Sequence, residues 1–302
     1  MTNPLEQGGQ ASLTRWSRRR WLWTGAGFLG AGSIGLATYA CGIEPHAVQV
    51  VRRSMPIVGL PEALQGKVLA QISDLHIGKR VDPVYLARAL QMTSDLSPDI
   101  LVLTGDIVHG NDGLHLDEAI GLIRSHLSMD RLATIAILGN HDYGAHFRDK
   151  RVADRLSGKL REIGFQVLRD EATDVAGMTM AGLDDRWGSN WNASRSASVI
   201  RERRPSIVLA HNPDCCDELI WGDYQGWILS GHTHGGQCKP PFLPPPLLPV
   251  KNKRYTSGYF ELSGGRHLYV NPALGYLHRV RFLVPPEITL FTLESVPTKS
   301  AT

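Results

Sequence analysis

Val68-Leu69-Ala70-Gln71-Ile72-Ser73-Asp74-Leu75-His76 is an apolar run that ends, within a few residues, on a carboxylate and an imidazole. The run reads as a buried strand, because it is short, rich in aliphatic side chains and followed at once by polar residues. The same figure recurs along the chain. Ile100–Leu103 precedes Gly105-Asp106, and Ala133–Leu138 leads into Gly139-Asn140-His141-Asp142. Ile207–Ala210 leads into His211-Asn212-Pro213, and Trp227–Leu229 into Gly231-His232-Thr233-His234. Helical patterns lie between them. Asp82–Leu96 has Asp82 as a cap, Pro83 in its first turn and Leu86, Ala89 and Leu90 at helical spacing. Leu116–Leu127 and Arg148–Ile163 are the next two helices, and Met178–Leu183, His267–Val270 and Ile288–Leu293 are further strands. Strands alternating with helices predict an α/β architecture. In such sheets functional groups gather beyond the carboxyl ends of strands, so residues as distant as Asp74 and His234 can meet at one edge.

Taken singly, an Asp-x-His or a Gly-Asp is more often a turn than a ligand. Five motifs in order, each directly after a strand, read together as a metal site. Asp74 and His76 stand two residues apart on a strand-to-loop turn, so both can approach one cation. Asp106 follows a glycine that permits a tight bend, and its carboxylate suits a bridging role. Asn140 offers an amide oxygen, and His211, His232 and His234 offer imidazoles. This is enough for two divalent cations about 3.5–4 Å apart, the equipment for phosphate-ester hydrolysis. Mixed oxygen and imidazole ligands suit Mn, Fe, Zn or Co better than Mg or Ca. His141 is free to donate a proton to the leaving oxygen, and Asp142 to orient its ring. His46, His109, His115, His126, His146, His267 and His278 lack such placement, with His109 the nearest exception because it follows Asp106 closely.

These residues resemble the calcineurin-like metallophosphoesterase superfamily, over about 68–293. The likeness is closest to a bacterial membrane-associated and exported subgroup that includes enzymes cleaving the pyrophosphate of UDP-diacylglucosamine. Asp74-Leu75-His76-Ile77-Gly78, Ser230 to Gln237 and Pro286-Glu287-Ile288-Thr289-Leu290 carry it. The resemblance implies a four-layer α/β/β/α sandwich and a two-metal centre. It implies Asp74, His76 and His234 on one metal, Asn140, His211 and His232 on the other, Asp106 between them and His141 as the catalytic histidine. His278 and Arg279 depart from the smaller, less polar run expected there, which leaves substrate identity open. Asp185, Arg186, Gln237, Lys253, Arg254 and Tyr255 are candidate substrate contacts, each equally readable as a loop or packing residue.

The 302 residues are 42% hydrophobic and 20% charged, enough for a sizeable core. Net charge is +3, and Arg15, Arg18, Arg19 and Arg20 supply much of the excess, so composition does not point to a nucleic-acid partner. Trp21 to Ile43 carries no charge, and as a helix it would be long enough to cross a bilayer core of ~30 Å. Ser17-Arg18-Arg19-Arg20-Trp21-Leu22 resembles a twin-arginine export signal; a plain signal anchor is the alternative. Thr38-Tyr39-Ala40 could precede a cleavage site, and Cys41 hints at lipid attachment, but an uncut anchor fits as well. The arginines place the following domain on the outer, periplasmic side of a bacterial inner membrane. Four cysteines show no disulfide or zinc spacing.

The expected organisation is therefore a signal or membrane anchor over 1–43, a linker and first strand over 44–66, and the metallophosphoesterase domain over 67–302. The expected function is a metal-dependent phosphodiesterase or phosphomonoesterase acting on a phosphate ester, one linked to a lipid being suited to an anchored enzyme. A pyrophosphatase acting on a UDP-linked lipid and a non-catalytic metal-binding protein are the alternatives.

Overall fold

The structure, a computed structural model, describes residues 32–110, 114–188 and 191–296. Two six-stranded sheets carry the fold. The first runs β1 (Gln49–Val58), β12 (Glu287–Val296), β2 (Val68–Ile72), β3 (Ile100–Thr104), β4 (Ala133–Ile137) and β5 (Gln166–Val167). The second runs β10 (Gly258–Leu262), β11 (Arg266–Val270), β9 (Trp227–Ser230), β8 (Ile207–Leu209), β7 (Met178–Gly182) and β6 (Glu171–Val175). Strands β2 to β5 pair in parallel, as do β7, β8, β9 and β11. Their carboxyl ends therefore open on one side of each sheet.

Parallel strands covered on both faces need apolar side chains throughout. Accordingly, every residue of β3, β4, β8 and β9 is buried. One apolar cluster joins the first sheet to α1 (Pro83–Asp95), α2 (Leu116–His126) and α3 (Lys150–Glu162), through Leu86, Leu90, Ile123 and Leu156 among others. A second lies between the sheets, where Leu69, Val102 and Ile135 meet Met180, Ile207 and Leu229. A third packs Ile200 of α4 (Ala193–Arg203) and the turn around Cys215 and Cys216 on the outer face of the second sheet. The layers are thus helices, sheet, sheet and helix with its flanking turns.

The α1 boundary follows from chemistry visible in the sequence. The Asp82 side chain accepts hydrogen bonds from the Val84 and Tyr85 amides at 2.9 and 3.3 Å, and Pro83 occupies the first turn. The stretch preceding β2 contributes β1, which pairs with β12 over ten residues at the sheet edge. The polar segments β6, β10 and α4 carry weak patterns, and only their pairing or packing makes them regular. Among the described residues no helix is long and apolar enough to cross a membrane. Most of the expected anchor, including the twin-arginine stretch, lies outside the described residues. All four cysteines are free.

Candidate metal centre

All seven ligand candidates stand just past the carboxyl ends of five strands, three in the first sheet and two in the second. Main-chain hydrogen bonds hold these loops together. The Asp74 amide donates to the Gly105 carbonyl at 2.9 Å, and the His76 amide to the Asp106 carbonyl at 3.0 Å. Between the sheets, the His232 amide donates to both Asp74 carboxylate oxygens at 3.1 and 3.0 Å.

Five of the candidates sit in the left-handed region: Asp74 (φ 51°), His76 (47°), Asp106 (51°), His232 (68°) and His234 (51°). That conformation costs a non-glycine residue about 1–3 kcal/mol and persists where the surroundings over-determine it. Here it falls on residues two apart, Asp74 with His76 and His232 with His234, and on Asp106. Gly139 and Gly231 have a different reason to be glycine. A Cβ at Gly231 would collide with Ser73 Oγ and the Asp74 carboxylate, and one at Gly139 with the Asp106 carboxylate and main-chain nitrogen.

Among the described residues, Asp74, His76 and His234 bring one ligand atom each within 4.8 Å of one another, and so do Asp106, His211 and His232. All six are buried. In the first group the His76 and His234 Nε2 atoms are 3.0 Å apart, with Asp74 Oδ1 at 3.3 Å from His234 Nε2. In the second, His211 Nε2 lies 3.2 Å from Asp106 Oδ2. The same Oδ2 is 3.7 Å from His76 Nε2, so Asp106 stands between the groups.

Whether these residues fit cations can be judged from their unused atoms. Asn140 Oδ1 is buried without a hydrogen-bond partner, and His211 Nε2 faces the Asp106 carboxylate. His211 Nδ1 lies 2.7 Å from the Thr104 carbonyl, and His232 Nε2 lies 2.8 Å from the Pro249 carbonyl. A carbonyl only accepts, so each of those nitrogens carries the proton. The opposite nitrogen, His211 Nε2 or His232 Nδ1, is left with a lone pair for a cation. Oxygen donors, imidazoles with fixed tautomers and buried unpaired atoms together suit divalent metals of the Mn, Fe, Zn or Co type.

The charges agree. Burial pushes the Asp106 carboxyl up, but His211, His141 and His76 outweigh it and hold it well below the usual carboxylate range. Burial likewise opposes ionisation of Asp74, and His234 and His211 bring it down to about 2. Both carboxylates are therefore anionic at neutral pH. Burial lowers His232 to about 4, so it is a neutral donor. A cation would displace the proton that Asp106 otherwise favours on His211.

His141 lies at the open side, its amide donating to Asp106 Oδ1 at 2.8 Å. Its ring meets His76 edge-on at 4.8 Å, stacks on His109 at 5.0 Å and touches Phe147 at 4.9 Å between centroids. The hydrogen bonds of Asp142 run to the main chain. The Asp142 carboxylate accepts the amides of Gly139, Ile107 and Val108 at 2.9–3.0 Å, so it ties the loop after β4 to the loop after β3. Three convergent amides occupy most of the acceptor sites of this buried carboxylate.

His109 is brought to the site, forming a third close group with His76 and His141. Trp187 was absent from the candidates, yet its indole meets His232 at 4.6 Å, and Phe147 lies 6.4 Å from it. These two aromatics had no local signal, because their neighbours in space come from other loops. The candidate substrate contacts are mostly committed elsewhere. Arg186 pairs with Glu218, Tyr255 Oη donates to Asp217 at 2.7 Å, and Lys253 Nζ donates to the Leu248 carbonyl at 2.6 Å. Arg254 reaches the Glu261 carbonyl, and Gln237 is used up by the main chain of 277–280. Asp185 is buried, and its carboxylate accepts the Trp187 and Gly188 amides at 2.8 and 2.9 Å. His278 and Arg279 are exposed beside the site-facing turn.

The family model for calcineurin-like phosphoesterases matches residues 67–236. An uncharacterized metallophosphoesterase of Bacillus subtilis, YkuE, is 32% identical over 292 residues, covering 94% of this chain and 99% of the relative. The phosphodiesterase YaeI of Escherichia coli is 29% identical, covering 92% and 99%. The UDP-2,3-diacylglucosamine pyrophosphatase LpxG of Chlamydia trachomatis is 29% identical, covering 82% and 90%. The match runs from β2 through the last histidine motif, over the loops that converge on Asp106, and the chain belongs to the calcineurin-like phosphoesterase family.

Proposed function

We propose that this chain is a binuclear metal-dependent phosphodiesterase or phosphomonoesterase. The observation that carries the reading is Asp106 standing between two buried ligand groups, with His141 beside it at the open side. Asp74, His76 and His234 would hold one cation and Asn140, His211 and His232 the other, with Asp106 placed to serve both. Cations held there would activate a water as nucleophile and clamp the phosphoryl oxygens. His141 gives a proton to the departing oxygen, its ring held by His76, His109 and Phe147. Asp142 supports it indirectly, by fixing the two loops that carry His141 and Asp106.

The arginines before the uncharged 21–43 stretch support anchorage in a bacterial inner membrane, with the domain on the periplasmic side or exported there. A lipid-linked phosphate ester suits that place. The likeness to the LpxG pyrophosphatase favours a second reading, cleavage of a UDP-linked lipid, against which the outward topology counts because nucleotide sugars are cytoplasmic.

The test is Mn-dependent hydrolysis of bis-p-nitrophenyl phosphate and p-nitrophenyl phosphate by the full chain and by His141→Ala. Diester turnover that His141→Ala loses by at least about 100-fold, with metal content kept, is the expected result. Turnover of neither ester by a metal-loaded wild type sinks the general phosphoesterase reading and leaves the selective pyrophosphatase or a non-catalytic metal protein.

A further inference from the structure

An apolar groove of about 330 Å³ opens directly beside His234. It is lined by Pro246, Leu247, Leu248 and Pro249 and by Leu277 and Val280, with Thr233, His234, Gln237 and His278 as its polar members. The groove adjoins the candidate metal centre: His234 lines the groove and belongs to the first ligand group, and the carbonyl of Pro249, on the groove wall, holds the His232 ring.

Its outer rim is more apolar than a solvent-facing loop requires. Phe242 (104% exposed), Leu243 (62%) and Leu247 (74%) project from the loop between Pro240 and Pro249. Six prolines in that loop restrict its backbone, so the chain is not free to fold these side chains inward.

A third observation concerns what is attached there. The Arg281 amide donates to the Ala40 carbonyl at 2.9 Å, and the Glu44 carboxylate accepts the Leu283 and Val284 amides at 3.0 and 2.6 Å. The Lys239 amide donates to the Phe282 carbonyl at 2.9 Å, tying the proline-rich loop to the same turn. The segment ending the uncharged N-terminal stretch, with Ile34, Leu36 and Ile43 exposed, therefore joins the domain next to the groove.

We propose that this groove receives the aliphatic tail of the substrate, so that the substrate class is an amphiphilic phosphate ester whose phosphate reaches the metal centre while its chain lies against Leu247, Leu277 and Val280. The proposal rests on the phosphoesterase reading above. With the anchorage proposed above, the attachment of the N-terminal segment beside the groove would bring its mouth to the membrane surface, where such a tail is presented. Burying each methylene of the tail strengthens productive binding about fourfold, the equivalent of ~0.8 kcal/mol.

The experiment uses the full, Mn-loaded chain and the methyl, butyl and hexyl esters of p-nitrophenyl phosphate, all well below micelle-forming concentration. The expected result is a kcat/KM that rises at least tenfold from methyl to hexyl in the wild type. In Leu247→Gln the hexyl-to-methyl ratio falls towards one. Leu219→Gln, which changes an exposed leucine outside the groove, keeps the wild-type ratio. Reading the ratio within each protein cancels differences in folding or metal content. Titration calorimetry with methyl and hexyl phosphate gives the binding arm. Tail-dependent binding without turnover of any ester keeps the groove and sinks the hydrolysis reading. Turnover with a flat chain-length profile, or a profile that Leu247→Gln leaves intact, overturns the groove.

Discussion

The two halves of the metal centre are built to different degrees by the protein alone. In the half around His211 and His232, each imidazole donates to a main-chain carbonyl, of Thr104 and of Pro249, so ring and tautomer are set before any cation arrives. In the half around Asp74, His76 and His234, the two rings stack with centroids 4.9 Å apart and bring their Nε2 atoms to 3.0 Å. Their Nδ1 atoms are buried without partners. One N–H shared between two nitrogens, or one cation, would complete this half, and among the described residues no carbonyl is hydrogen-bonded to either ring. The fold thus sets the imidazole tautomers around His211 and His232, whereas around His76 and His234 it fixes the Asp74 carboxylate but leaves the ring tautomers unset.

The largest expected effect comes from erasing the distinction. Asp106→Asn removes the charge that both halves share and should cost at least about 100-fold in ester turnover, the upper end of what loss of a ligand's supporting partner costs. Metal analysis should show both sites weakened together. A variant that lost one equivalent and kept the other at full affinity would break the bridging role.

Gly231→Ala tests whether the halves can be separated. Its Cβ would press on Ser73 and the Asp74 carboxylate, in the first half only, at a packing cost of about 1–3 kcal/mol. The expected outcome is a folded protein, by circular dichroism, that binds close to one metal per chain. Equal loss of both equivalents would show that the halves are mechanically one unit.

The smallest effect concerns the metal-free protein. His211→Ala removes a buried hydrogen bond between the sheets and should destabilise the chelator-treated protein by about 1 kcal/mol more than His76→Ala, which removes ring contacts with His234 and His141 but no side-chain hydrogen bond to the main chain. Urea unfolding in chelator reads this difference. Equal costs, or the reverse order, would contradict the claim that main-chain acceptors pre-organise one half.

The strands that carry the ligands were legible because they are buried on both faces. β2 matches the apolar run Val68–Ile72, and the observed β3, β4, β8 and β9 differ from the apolar runs by a residue at one end. β6, β10 and α4 were not, since Glu171–Val175 and Gly258–Leu262 are largely half-exposed and take their regularity from a partner strand. The same division runs through the site. The ligand types and their order stand in five local motifs, whereas Trp187, Phe147 and the role of His109 depend on loops that meet only in the folded chain.

Local chemistry thus determined which residues could bind metal, because a strand end followed by Asp, Asn or His is written in consecutive positions. Tertiary structure decided the rest. It put Asp106 between two groups drawn from both sheets, directed three amides at the Asp142 carboxylate, and set an apolar groove against His234. Each of these depends on distances between segments far apart in the chain, and such distances are fixed only when the apolar faces of the two sheets close on each other.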